Sequence, residues 1–301
     1  MPISTRTTKR TTSTRNEAVT SRRSVQQAGS FVLIAMLMLA TGLPADDLSP
    51  LKPANSEQAE ESSEDSTYRV MTYNIKRGEG NDGKTDLERS AQVIANEKPD
   101  FVGLQEIDEN ARRSGNVDQA DALGKRLGMN AAFGWFMPFQ GGRYGMAVLS
   151  RYPIRESRSF KLPAGNEPRI ALAVEVELPS GESLMLVNVH FDWVNDDSYR
   201  FAQARSLQTF LDQLTMPFIL MGDFNDTPDS RTVKLLAAGR LEAKKPEQDR
   251  LTYSATNPRV EIDYLFASPA SRWKVNDVRV IDEPLASDHR PVAADFQLID
   301  R

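Results

Sequence analysis

The chain has 301 residues, with 37 lysines and arginines against 42 aspartates and glutamates, a net charge of −5. Hydrophobic residues make up 40% and charged residues 26%, a soluble globular composition that argues against a membrane-embedded or wholly disordered chain. The absence of cysteine excludes disulfide scaffolds, thiolate-held zinc, iron–sulfur clusters and thiol nucleophiles, and the two histidines, His190 and His289, must carry any imidazole chemistry.

In chain order, residues 1–30 are rich in Ser and Thr and carry six basic residues (Arg6, Lys9, Arg10, Arg15, Arg22, Arg23) against one acid, Glu17. An unbroken apolar run, Phe31 to Ala40, follows and ends at Gly42 and Pro44. Basic, apolar, then small residues is the order of a signal peptide, and the run falls short of the roughly 20 residues of a membrane span. Residues 1–44 are therefore expected to be a signal peptide and the protein to be exported, periplasmic or secreted, rather than anchored. Arg22-Arg23 keeps a twin-arginine route open, and the long basic stretch keeps open a start site further downstream. Residues 45–67 hold seven acids against Lys52 and no aromatic residue, as expected of a solvated, disordered linker. With +5 in the first segment and −6 in the linker, the remaining 68–301 carries −4 and is read as one catalytic domain.

Within it, short β-rich runs at 69–75, 100–107, 145–150, 170–178, 184–191, 218–224 and 262–267 read as strands. Residues 85–97 open with Thr85-x-x-Glu88, a capping box, place Leu87, Ala91 and Ile94 at helical spacing, and stop before Pro99. A second helix is expected over 198–214, with Phe201, Leu207, Phe210, Leu211 and Leu214 on one face. Strands outnumber helices and several alternate, which fits two packed sheets with outer helices better than a parallel wound sheet.

Nearly every expected strand ends in a carboxylate, carboxamide or imidazole: Asn74, Glu106, His190, Asp192, Asp223, Asn225 and Asp263, with Asp288-His289 near the C-terminus. Converging strand ends build one polar pocket. Phosphodiester hydrolysis needs a cation on the phosphoryl oxygens, an activated water, and donors for the developing charge. Hard Mg²⁺ or Mn²⁺ prefers oxygen ligands, which matches Asn74, Glu106 and Asp288 better than a histidine-rich zinc site would. Asp223 is the candidate for activating water and Asn225 for a donor to the phosphoryl oxygen. Arg143 and Arg169 are candidate phosphate clamps.

The set T-Y-N-I (72–75), L-Q-E (104–106), Y-G-M-A-V-L-S-R-Y-P-I (144–154), N-V-H-F-D (188–192), G-D-F-N (222–225), I-D-Y-L-F (262–266) and S-D-H-R-P (287–291) resembles the endonuclease/exonuclease/phosphatase superfamily across essentially all of 68–301. The resemblance implies a four-layer α/β/β/α sandwich and divalent-metal hydrolysis of phosphoesters. It implies the roles given above for Asp223 and Asn225, pairs His289 with Asp263 against the scissile phosphate, and makes His190 a second imidazole able to protonate the leaving oxygen. Met146 stands where many relatives carry Asn. Asp192 has no role assigned. The modest charge and scattered basic residues favour a small diester or lipid headgroup over a nucleic acid, and a non-catalytic binding protein on the same fold is the alternative of another class. Phe133, Trp135, Phe136 and Phe139 are expected either in the core or as an apolar rim.

Overall fold

A computed structural model describes residues 66–299. The expected signal peptide and nearly all of the expected linker lie outside these residues. Strands β1 (Thr67–Asn74), β2 (Phe101–Glu109), β3 (Asn130–Phe139) and β4 (Gly142–Ser150) come first, with helices α1 (Leu87–Glu97) and α2 (Gln119–Leu127) between them. There follow β5 (Ile154–Lys161), β6 (Ile170–Glu177), β7 (Ser183–His190), α3 (Ser198–Leu211), β8 (Phe218–Asp223), α4 (Arg231–Ala237), β9 (Leu241–Glu242) and β10 (Asp263–Ser268). The described elements close with β11 (Trp273–Val280) and β12 (Val292–Leu298).

They form two six-stranded sheets, one in the order β11-β12-β1-β2-β4-β3 and the other β5-β6-β7-β8-β10-β9. Each is mixed, with one parallel pair at its centre, β1 with β2 and β7 with β8. Period-two alternation assigns the faces. On β1, Val70 points to the apolar layer between the sheets, while Met71 and Tyr73 pack outward with Ala91 and Ile94 of α1 and Leu123 of α2. On β7 and β8, Leu186, Ile219 and Met221 face inward, and Val187, Val189 and Leu220 pack outward with Leu207 of α3 and Leu236 of α4. The layers are therefore α/β/β/α, as the sequence led us to expect.

Helix α1 starts one residue later than the Thr85 capping box implies: the Asp86 carboxylate accepts the N–H groups of Glu88 and Arg89. A carboxylate is the stronger acceptor at that end of the helix dipole. On α3 the buried face runs through Arg200, Gln203, Ala204, Leu207 and Leu211. Phe201 lies off that face, with the Arg231 guanidinium 4.2 Å above its ring.

The strand directions gather the polar residues. Asn74 and Glu106 lie at the C-terminal ends of parallel β1 and β2, and His190 and Asp223 at those of β7 and β8. Antiparallel β10 begins at the same end, with Asp263 opposite Asp223. Val292, at the start of β12, pairs with Thr72, which brings Asp288 and His289 back to the tip of β1. Beneath this end the two sheets are joined by fully buried carboxamides: Gln105 Nε2 donates to Asn188 Oδ1 at 2.7 Å and to Thr72 Oγ1 at 3.1 Å. Asn188 Nδ2 donates to the Leu104 and Ala147 carbonyls, both at 2.9 Å.

Candidate active site

Glu106 stands in a bulge: the pairing of β2 with β4 slips between Gln105 and Ile107, and Glu106 takes a left-handed φ of 58°. Strict alternation would turn its side chain outward with Leu104 toward the helices. The bulge re-aims the carboxylate inward, at a strain of order 1–3 kcal/mol that the surrounding core must offset. In G-D-F-N, the glycine permits close strand packing, since a Cβ at Gly222 (φ 148°) would lie 2.0 Å from the Val189 carbonyl oxygen. The aspartate side chain accepts Asn225 N–H at 2.9 Å, and Asn225 Nδ2 donates to the Phe191 carbonyl at 3.0 Å. Ser287 Oγ donates to the Asn74 carbonyl at 2.7 Å, fastening the S-D-H segment to the tip of β1.

A cavity of about 340 Å³ opens here, lined among others by Glu106, Tyr144, Glu167, Arg169, His190, Asp223, Asn225, Asp288 and His289. Asp223 is at its centre. One of its oxygens lies 3.1 Å from Asn74 Nδ2, 3.5 Å from His190 Nε2 and 3.6 Å from His289 Nε2. Burial drives its carboxyl up to about 7, the Asp263 charge pushes the same way, and the His289 charge opposes both. A carboxylate so poised suits proton abstraction near neutral pH.

The two histidines are held in opposite states. Asp263 Oδ2 sits 3.1 Å from His289 Nδ1. Burial alone would lower the proton affinity of His289, but the Asp263 and Asp223 carboxylates reverse this and raise it to about 10, so His289 is an imidazolium. The Tyr253 ring packs over it with centroids 4.9 Å apart. His190 instead has Arg169 Nη1 3.3 Å from its Nδ1. A guanidinium only donates, so Nδ1 must accept and the proton resides on Nε2, facing Asp223. Burial, then the Arg169 charge, pushes His190 well below the usual histidine range. In this neutral form His190 presents its Nε2–H as a hydrogen-bond donor on the Asp223 side.

The two arginines also part company. Arg169 lines the cavity, but Nη1 meets His190 and Nη2 meets Glu167 at 2.9 Å, so it supports the imidazole rather than standing free for phosphate. Arg143 is not among the cavity's lining residues; its Nε and Nη2 engage Glu109, directly across the strand pair, which sets this candidate clamp apart from the cavity. Asp192, left without a role by the sequence, is fully buried and accepts Asn166 N–H at 2.6 Å and Glu167 N–H at 3.3 Å. A Cβ at Gly165 would lie 2.2 Å from the same carboxylate, so glycine is needed for this approach. Asp192 thereby fixes the loop that carries Glu167 and Arg169. Its position two residues after His190 was the only hint in the sequence.

Glu106 and Asp288 can hold a divalent cation, and at present face Arg77 at 3.9 Å and Lys76 at 3.1 Å. Asn74 joins them as a donor, Nδ2 to Glu106 Oε1 at 3.2 Å, while its oxygen accepts Lys76 N–H and keeps one lone pair for an ion. Asp223, Asp263 and His289 also bring ligand atoms within 4.8 Å of one another. A protonated imidazole has no lone pair to give, so this trio would take an ion only by releasing the His289 proton, whereas Glu106, Asp288 and Asn74 offer oxygens alone, the donors a hard cation prefers.

The model of the Endonuclease/Exonuclease/phosphatase family matches residues 71–289, which takes in every residue of this pocket. The chain belongs to the endonuclease/exonuclease/phosphatase family. Membership makes it a phosphoester hydrolase by class. The chain is 23% identical over 248 residues to the uncharacterized protein YbhP of Escherichia coli K12, covering 77% of this chain and 97% of YbhP. The crystal structure of an endonuclease/exonuclease/phosphatase from Beutenbergia cavernae superposes with a TM-score of 0.63 at 25% identity, covering 77% of this chain and 72% of that one. The Bacteroides thetaiotaomicron mannosyl-6-phosphatase Bt3783 superposes with a TM-score of 0.63 at 18% identity, over 76% and 99% of the two chains, and shares the fold. Among the described residues no helix is long and apolar enough to cross a membrane.

Proposed function

We propose that this protein is a divalent-metal-dependent phosphodiesterase acting on a small diester or lipid headgroup, with Mg²⁺ or Mn²⁺ held by Glu106, Asp288 and Asn74. The observation that carries this reading is the charge of the cavity. Its lining sets four carboxylates, Glu106, Glu167, Asp223 and Asp288, against two cations, Arg169 and the His289 imidazolium, while Arg77 and Lys76 meet only two of those acids from outside the lining, Glu106 and Asp288. A phosphate would be repelled by that pair unless a cation stood between them. When bound, such an ion supplies Lewis-acid polarisation of a phosphoryl oxygen.

The chain's own residues supply the rest. Asp223 accepts the proton of the attacking water. The His289 imidazolium, its orientation fixed by Asp263, and the Nε2–H of His190 donate to the charge that accumulates on the phosphoryl oxygens. Asn225 is held at the cavity edge by the Phe191 carbonyl with one amide hydrogen left to donate. Duplex nucleic acid is the weaker reading, because polymer binding usually needs a basic stripe. Here Arg77, Arg169 and Lys76 are all spent on carboxylates.

The test is a panel of DNA, RNA, a phosphocholine lipid and a generic aryl diester with Mg²⁺, Mn²⁺ or chelator, from low to high salt. Hydrolysis of the small diester or lipid that needs the ion and varies little with salt is expected. Efficient duplex cleavage that collapses as salt rises assigns a nuclease instead, and full activity in excess chelator refutes the metal reading.

A further inference from the structure

A second cavity, of about 450 Å³, lies beside the first, and its walls are mostly apolar: Trp135 and Phe136 of β3, Ile170 of β6, and Leu162, Ala164 and Pro168 of the connection between β5 and β6. It shares Arg169 with the phosphate cavity. Phe136 also meets Tyr144, which lines the phosphate cavity, edge-on with centroids 4.8 Å apart, and the Arg169 guanidinium lies 5.2 Å from the Phe136 ring. The partition is therefore one layer of side chains, and both cavities are formed by the same loop. That loop is held in shape by the Asp192 carboxylate on Asn166 and Glu167, and by Gln203 Nε2 donating to the Pro163 carbonyl at 3.3 Å, so the apolar space is built in advance. Exposed tryptophan is uncommon on a solvated surface, yet Trp135 is 46% exposed at this cavity and Trp193 is 59% exposed at the other.

We infer that this cleft is a specificity subsite that takes the apolar ester group of the substrate, the organic half joined to the phosphate being cleaved. The inference rests on the phosphoesterase reading of the neighbouring cavity. Continuity through Arg169 selects this occupant over an unrelated apolar molecule: a group seated against Phe136 and Trp135 has its polar end directed to the side where the phosphate is held. The volume is ample for a ring system, since about 150 Å³ suffices for benzene.

The experiment compares binding of methylphosphonate and 2-naphthylmethylphosphonate by calorimetry in Mg²⁺, with 2-naphthylmethanol as the phosphate-free control. Two variants on exposed positions probe the cleft, Ala164→Trp to fill it and Trp135→Ala to remove its wall; neither residue lines the catalytic cavity. The wild-type protein should bind the naphthyl phosphonate about tenfold or more tightly than the methyl compound, as ring burial provides. Both variants should bring that ratio close to one while leaving methylphosphonate affinity and turnover of a methyl ester unchanged. A wild-type ratio near one, or a ratio the variants do not move, overturns the subsite. So does naphthylmethanol binding as tightly as the phosphonate, or a dimer in sedimentation that Ala164→Trp dissociates. If the ratio and its loss are observed but no phosphoester is hydrolysed with any metal, the subsite stands and the hydrolase reading falls.

Discussion

Replacing Asp263 with Asn preserves the shape of the side chain and removes the charge that keeps His289 protonated. Both groups are buried, 3.1 Å apart, and Asp223 supplies the remaining negative charge on the far side of the ring. A hydrogen bond to a charged partner is worth about 1.5–3 kcal/mol, and one pKa unit corresponds to about 1.4 kcal/mol, so Asp263 accounts for about one to two units of the rise in His289. The expected result, measured as hydrolysis of an aryl diester across pH in saturating Mg²⁺, is that the alkaline limb moves down by about one to two pH units. Turnover at neutral pH should fall far less than on that limb, because His289, lowered by about one to two units from about 10, still holds its proton at pH 7. Stability gives an independent sign. A group raised from 6.5 to about 10 contributes stability that is complete below about pH 6.5 and is lost as pH rises through about 10. The melting temperatures of Asp263→Asn and the native protein should thus differ most in mild acid and converge above pH 10. An unmoved alkaline limb with a melting temperature lowered equally at every pH would show that Asp263 only props the fold, and would refute the reasoning.

Glu106→Gln should weaken Mg²⁺ binding in calorimetry by about tenfold or more and abolish most hydrolysis; unchanged affinity would move the ion to the Asp223 cluster. Asp192→Asn should lower kcat/KM by about 10–100-fold through slackening of the Arg169 loop, and when combined with Arg169→Gln should cost little beyond the worse single variant, a non-additivity that two independent roles would not show. Gly222→Ala forces β8 off Val189 and should lower stability by about 2 kcal/mol or more, read as a melting temperature about 4–8 °C lower. N-terminal sequencing of the mature protein should find cleavage near Ala45; an intact Met1 on a soluble cytoplasmic product contradicts export.

Strands that are both buried and apolar were legible, because β7 and β8 carry unbroken β-branched and aliphatic runs that few other structures accommodate. Edge elements were not, and neither was the buried central strand β12, whose apolar pattern is interrupted by Asp295 and Gln297. The exposed face of β5, Arg155, Glu156 and Arg158, and the polar alternation of β11 show no apolar run, since their stability comes from neighbours distant in sequence. Helices α2 and α4 have only 9 and 7 residues, too short for a helical period to stand out. At the site, residue types revealed which groups gather, because a carboxylate or imidazole at a buried strand end has no packing use. Their charge states were hidden. That His190 is neutral and His289 charged depends on Arg169 and Asp263, 21 and 26 residues away, and only the fold sets each pair in contact. Met146, the one departure from the pattern of the resemblance, is fully buried between the sheets, so it is absorbed by the core.

Strand β12 lies between β11 and β1, yet it is the last of the described strands in chain order, and Asp288 and His289 immediately precede it. Nascent chains emerge from their N-terminal end at about 5–20 residues per second, so for most of its synthesis β1 has an open edge and the reactive centre lacks both an acid and a charged imidazole. A growing or prematurely terminated chain is therefore catalytically silent, and one that stops before Val292 leaves an unpaired strand edge liable to join another chain. Hydrolytic competence and closure of the first sheet arrive in the same step, with the synthesis of β12.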